Sequence, residues 1–273
     1  MDGVVVCDIT DPDDARLDDF RDLNSIDRRP DLPTGKGLVI AEGVLVVQRM
    51  LASRFAPLAF LGTDRRLAEL KADLAGSVAP YYRVSAEVMA RVIGFHLNRG
   101  VLAAARRVPE SSVAQVIDGA RTVAVLEGVN DHENLGAIFR NAAGLGVDAV
   151  VFGSGCADPL YRRAVRVSMG HALLVPSARA TDWPADLNTL RQRGFRLLAM
   201  TPNPDAERLP AAMAAVLDER IAVLVGAEGP GLSPSALQAS DLRVRIPMSR
   251  GTDSLNVATA AALAFYERVR LGR

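Results

Sequence analysis

Arg121-Thr-Val-Ala-Val-Leu126 runs into Glu127-Gly-Val-Asn130-Asp-His-Glu-Asn134-Leu-Gly136-Ala-Ile-Phe-Arg140, and Ala149-Val-Val-Phe152 follows shortly after. The first apolar run reads as a buried strand over residues 123–126. Residues 135–145 carry apolar side chains at helical spacing, and residues 149–152 read as a second strand. A strand, a helix and another strand in so short a stretch is the repeating unit of a parallel sheet. The pattern continues with a helix over 161–169, the end of another at 190–193, and strands over 195–200, 221–225 and 242–246. These strands are continuously apolar rather than alternating, which predicts a parallel sheet covered on both faces. Ligands in such sheets bind at the carboxyl ends of the strands.

The N-terminal part has the same character on a smaller scale. Strands are expected over residues 39–43, 58–61, 81–84 and 101–105, with helices from Val44, over 64–74 and from a Ser85 cap through Ile93. This predicts a small α/β domain over 1–105, of which 1–33 is an acidic, Pro-containing leader with one amphipathic segment at 15–23. Residues 106–120 have little periodicity and read as a linker with room for a short helix. The second domain is expected over 121–273.

Composition narrows the function without naming it. The 273 residues are 49% hydrophobic and 23% charged, with zero formal net charge, so any basic surface for nucleic acid has to be local. Only Lys36 and Lys71 are lysine among 32 basic residues. That arginine bias fits phosphate binding, but a GC-rich genome is the first explanation for it. Cys7 and Cys156 match no metal spacing, and the start of the chain, with Asp2, Asp8, Asp11, Asp13 and Asp14, has no cationic signal-peptide region. No apolar run approaches the roughly 20 residues of a membrane span. A cytoplasmic protein that needs neither a metal nor a membrane is expected.

Three loops stand at expected strand ends. In the first, Asn134 can cap a helix while facing a cleft, and Arg140 lies within reach of the same ligand; the alternative is a plain capped helix with a surface arginine. The second, Val225-Gly226-Ala-Glu228-Gly229-Pro-Gly231-Leu-Ser233, sets three glycines around one carboxylate, more than a turn requires. The third, Ile246-Pro-Met-Ser-Arg-Gly-Thr-Asp-Ser254-Leu-Asn256, leads into the Ala-rich stretch from Val257; its plain reading is a helix cap at Ser254. Arg162 and Arg166 share one helix face, which is either a phosphate track or a solvated surface. A dinucleotide fingerprint begins at Gly153-Ser-Gly155 but lacks its third glycine, which argues against a nucleotide-dependent oxidoreductase.

Asn134-x-Gly136-x-x-x-Arg140, Gly226-Ala-Glu228-Gly229-Pro-Gly231-Leu-Ser233, and Ile246-Pro-Met with Ser254-Leu-Asn256 occur together in this order. As a set they resemble the three motifs of the SpoU/TrmH family of RNA ribose 2′-O-methyltransferases, of the SPOUT superfamily. The resemblance covers residues 121–270. It implies a C-terminal parallel-sheet domain tied in a trefoil knot, preceded by a ribosomal-protein-like domain that binds the RNA substrate. It further implies S-adenosylmethionine as methyl donor, no metal, and a homodimer packed through the knotted domain. By position, Thr201, Gly226, Ala227, Gly229, Ile246, Met248, Leu255 and Val257 would hold the cofactor. Arg140, Asn134, Glu228, Ser254 and Asn256 would serve catalysis, and Arg162 and Arg166 would contact RNA. The substrate implied is structured RNA, rRNA rather than tRNA. The alternative reading is a non-catalytic RNA-binding protein that retains the fold.

Overall fold

A computed structural model describes residues 4–24, 36–249 and 254–272. The chain divides into two compact units. One comprises Met1–Pro109 with Pro159–Leu174, and the other Glu110–Asp158 with Val175–Arg273.

The first unit is built on a five-stranded sheet. Its elements before residue 110 are β1 (Val6–Asp8), β2 (Leu38–Glu42), α1 (Val44–Leu51), β3 (Pro57–Gly62), α2 (Asp64–Leu70), β4 (Tyr81–Arg83), α3 (Ala86–Ile93) and β5 (Val101–Arg106). The sheet order is β1-β4-β3-β5-β2, and β5 runs antiparallel to both β3 and β2. The expected helix cap is present: Ser85 Oγ accepts from Val88 N at 3.2 Å. Much of the expected leader is structural. Val6–Asp8 pairs with β4, and Leu17 and Phe20 on a 3-10 turn are buried in a core with Ile40 and Met89. The rest of it, residues 1–3 and 25–33, lies outside the described residues.

The second unit contains α4 (Val113–Val116), β6 (Thr122–Leu126), α5 (His132–Gly144), β7 (Ala149–Phe152), β8 (Ser177–Arg179), α7 (Leu187–Gln192), β9 (Phe195–Met200), β10 (Glu207–Arg208), α8 (Leu209–Ala215), β11 (Arg220–Val225), α9 (Pro234–Gln238), β12 (Leu242–Arg245) and α10 (Val257–Leu271); α6 (Arg162–Val167) belongs to the first unit. The seven strands lie in the order β10-β12-β9-β11-β6-β7-β8, and every pair is parallel. Strands buried on both faces explain the unbroken apolar runs: all five residues of β6 and the last five of β11 are buried.

The units differ from the expected domains in two places. Residues 110–120 do not separate anything: Val113 and Ile117 sit in the second unit's core with Val123 and Leu224. Residues 159–174 depart from the second unit and complete the first. Val165 and Leu173 pack in the core that contains Val39 and Phe60. α6 is fastened there by Arg162, whose Nη1 donates to Glu42 Oε2 at 2.7 Å, with Arg166 Nη1 3.6 Å from Glu42 Oε1.

That ion pair revises the expectation for the arginine track. Arg162 is buried, stacks over the Phe95 ring at 5.0 Å, and also donates to Asn24 Oδ1 at 3.2 Å. The buried carboxylate at the end of β2 requires a charged partner, and Arg162 supplies it, so its guanidinium does not face outward to phosphate. Arg166 remains half-buried and leans toward the same carboxylate.

Candidate active site

The three loops picked out in the sequence meet through their side chains at the carboxyl ends of β6, β11 and β12. Asn134, in the first turn of α5, donates from Nδ2 to Glu228 Oε1 at 3.0 Å. Asn256 donates from Nδ2 to the same Glu228 oxygen at 2.9 Å and to Asn134 Oδ1 at 2.7 Å. Each of the three motifs thus contributes one member to a closed ring of hydrogen bonds.

Both asparagines are free to do this because of how their helices start. Asp131, not Asn134, caps α5, accepting from Glu133 N at 2.7 Å and Asn134 N at 2.9 Å. The cap of α10 is Asn256 rather than Ser254: its Oδ1 accepts from Ala258 N at 3.0 Å and Thr259 N at 3.2 Å. Asn256 therefore does two things at once, with its oxygen on the helix and its nitrogen on the ring. Asn141 Nδ2, one face further along α5, donates to Ala258 O at 3.0 Å and ties the two helices together.

Beside the ring lies a cleft of about 400 Å³. Its lining includes Thr201, Gly226, Ala227, Gly229, Ile246, Met248, Leu255 and Val257, together with Glu228, Ser254 and Asn256. All of these were expected at the site; Met200, Pro202 and Ala260 line it as well without having been singled out, and so do Val225 and Gly231 of the second loop, to which no ligand role had been given. The loop between Ile246 and Asn256 is only partly in view, since residues 250–253 lie outside the described residues. The cleft's size falls within the range of small-ligand sites. Its lining combines apolar side chains with a glycine-rich stretch and the polar side chains of Thr201, Glu228, Ser254 and Asn256.

The glycine-rich loop is shaped by backbone proximity. A side chain at Gly226 would run into the main chain of Gly231 and Leu232, so only glycine fits there. Ala227 and Gly231 form an isolated bridge, and Gly229 and Gly231 take positive φ of 86° and 73°. The consequence is a tight turn that presents Glu228 to the two asparagines.

Arg140 is exposed on α5, two turns from Asn134, and makes no hydrogen bond or ion pair among the described residues. An exposed guanidinium with its donors unspent is equipped to take a phosphate or an oxyanion. Arg162 and Arg166 are not part of this cluster. They belong to the first unit. No group of three or more potential metal ligands occurs among the described residues. No helix among them is long and apolar enough to cross a membrane.

One buried residue at this end of the sheet gave no signal in the sequence. Glu127, directly after β6, is 7% exposed. Its carboxylate accepts from Trp183 Nε1 at 2.5 Å and from Ser233 Oγ and Ser233 N, both at 2.8 Å. Nothing in its local pattern distinguishes it from the surface glutamates of other strand ends.

The sequence of residues 121–266 matches the model of the SpoU rRNA Methylase family. An uncharacterised tRNA/rRNA methyltransferase of Mycobacterium bovis is 83% identical over 99% of this chain and 94% of its own length. The Bacillus subtilis 23S rRNA (guanosine(2553)-2′-O)-methyltransferase is 32% identical over 60% of this chain and 63% of its own. Among solved structures, an AdoMet-bound rRNA methyltransferase from Sinorhizobium meliloti superimposes with a TM-score of 0.80, at 21% identity over 97% of this chain and 98% of that one.

Proposed function

The chain belongs to the SpoU rRNA methylase family, and from that premise we propose that it transfers a methyl group from S-adenosylmethionine to a ribose 2′-hydroxyl of structured RNA, rRNA rather than tRNA. The observation that carries this reading is the Asn134–Glu228–Asn256 ring standing at the mouth of the Gly226 cleft. The B. subtilis relative, named for 2′-O-methylation of 23S rRNA, supports the choice of hydroxyl and of RNA. The S. meliloti neighbour, described as AdoMet-bound, supports the choice of methyl donor.

S-adenosylmethionine supplies an already activated methyl group, so the reaction calls for orientation and proton removal rather than a metal or a covalent intermediate. The residues present fit it. Gly226, Ala227 and Gly229 line the cleft, where their backbone would grip polar groups, and Thr201, Ile246, Met248, Leu255 and Val257 offer a largely apolar wall. Asn134 and Asn256 would orient the ribose and Arg140, with Glu228 holding both amides in register. Ser254 would support the loop that carries Asn256. A guanidinium carries donors and no acceptor, so Arg140 is not suited to take the hydroxyl proton. Its role is therefore to bind the phosphate beside the reacting ribose and to stabilise the alkoxide that develops on the 2′-oxygen.

The rest of the assignment follows the same reading. The second unit, 121–273 in the expected partition, is the catalytic domain, with its C-terminal segment threaded as a trefoil knot. The first unit, 1–105 in that partition, binds the RNA, and Arg166 retains a place on that surface that Arg162 has lost. The protein would work in the cytoplasm as a homodimer. Leu263 and Tyr266 on α10 are 39% and 53% exposed, apolar surface that a second copy would cover.

Arg140→Ala tests the proposal. It should abolish methyl incorporation into rRNA while calorimetry shows S-adenosylmethionine binding nearly unchanged. Full activity in that variant refutes the role given to Arg140. Absence of S-adenosylmethionine binding to the native protein refutes the reaction.

A further inference from the structure

We propose that Glu127 is a positioning residue of the cleft: it clamps both ends of the glycine-rich loop in the shape that receives the methyl donor. The inference rests on the function proposed above for the choice of ligand, and on geometry for the rest. The backbone N–H of Glu127 donates to Val225 O at 3.0 Å, where the loop begins. Its carboxylate takes both donors of Ser233, N and Oγ, where the loop ends. One residue thus holds the two ends of a seven-residue excursion that contains Glu228, the acceptor of the asparagine ring.

The chemistry of the clamp explains why a carboxylate is needed. Burying a charge is costly unless its oxygens are well hydrogen-bonded. Three neutral donors meet Glu127, the third being the indole N–H of Trp183, and no ion pair reaches it among the described residues. Charge-assisted bonds of this kind are stronger than neutral ones, so the loop end is fixed more firmly than by an ordinary turn. A lone serine cap would not do this: Ser233 Oγ also accepts from Ala236 N at 3.2 Å, so the same hydroxyl starts α9 and ends the loop. Trp183 is itself held in place, because its indole lies against Gly153 where any side chain would collide.

The test compares Glu127→Gln with Ser233→Ala and with Leu190→Ala, a buried change in the same core cluster that removes none of the clamp's hydrogen bonds. Glu127→Gln keeps size and one acceptor but turns an amide NH2 toward the Ser233 N–H, leaving that donor without a partner. Titration of the full chain with S-adenosylmethionine should show Kd raised about tenfold in Glu127→Gln and by less in Ser233→Ala. Leu190→Ala should lower the melting temperature at least as much while leaving Kd within about twofold. Hydrogen exchange at the Ser233 amide should quicken in Glu127→Gln, and emission from Trp183, the single tryptophan of the chain, should shift. A Kd within about twofold of native in Glu127→Gln overturns the proposal, as does an equal loss in Leu190→Ala. If the native protein binds no S-adenosylmethionine, the methyl-donor reading fails, and the clamp is judged on exchange alone: quickened exchange upholds it and unchanged exchange overturns it. If Glu127→Gln does not fold, Ser233→Ala decides by the same two readouts.

Discussion

Asn256 offers the clearest separation of stability from function, because its two ends do different work. Its oxygen caps α10 and its nitrogen closes the ring with Asn134 and Glu228. Asn256→Ser keeps a capping oxygen but is too short to reach the ring; Asn256→Ala loses both. Loss of the cap costs about 1 kcal/mol. Loss of two solvent-exposed hydrogen bonds costs roughly another 1 kcal/mol. For a unit of this size about 1 kcal/mol moves the melting temperature by roughly 2–4 °C. The serine variant should therefore melt roughly 2–4 °C below native and the alanine variant roughly 4–8 °C below. Turnover should separate from this: both variants lose the same oriented amide and should fall by about 10²-fold. The assay is incorporation of labelled methyl groups into rRNA from a strain that lacks the gene, beside a thermal melt of each variant. Native turnover in Asn256→Ser would refute the catalytic role of the ring. Equal melting of the two variants would refute the cap.

Other outcomes follow from particular contacts. Gly226→Ala drives a methyl group into the Gly231–Leu232 main chain and should cost about 1–3 kcal/mol; calorimetry should show S-adenosylmethionine binding lost with it. Arg162→Met strips the buried Glu42 carboxylate of its 2.7 Å partner and should cost about 3–5 kcal/mol in a denaturant melt. Adding Glu42→Gln to that variant should restore more than half of the loss, since the stranded charge is gone. Burial pushes the Tyr81 phenol above its ordinary 10.0, and its hydroxyl donates to Thr63 O at 2.9 Å. The neutral phenol is the form the fold favours, so its contribution is complete below 10.0 and lost as the pH rises beyond that value. Tyr81→Phe should accordingly flatten the alkaline limb of a stability-versus-pH curve.

The central strands were legible because residues buried on both faces leave continuous apolar runs, as in β6 and β11. β8 and β10 were not: three residues of mixed burial and a two-residue exposed pair give no period to read. The site was legible to the extent that its groups are polar residues in loops at strand ends, where no packing role competes for them. Assigning caps failed at Asn134 and Ser254 because Asp131 and Asn256 stand within three residues and local sequence cannot choose between them. Glu127 escaped notice because its partners are 56 and 106 residues away. Arg162 misled for the same reason: helical spacing places it on a face with Arg166, and only the fold reveals Glu42 beneath it.

The return of residues 159–174 to the first unit has a bearing on synthesis. A ribosome delivers residues in order, and domains generally fold as they emerge. Here the core around Val39 and Phe60 lacks Val165 and Leu173 until translation has passed both. By then β6, α5 and β7 have already been synthesised, so the first unit cannot finish before the second has begun. A nascent chain halted before residue 159 would carry an uncovered apolar surface and an unpaired Glu42, the state in which a chaperone would most readily engage it.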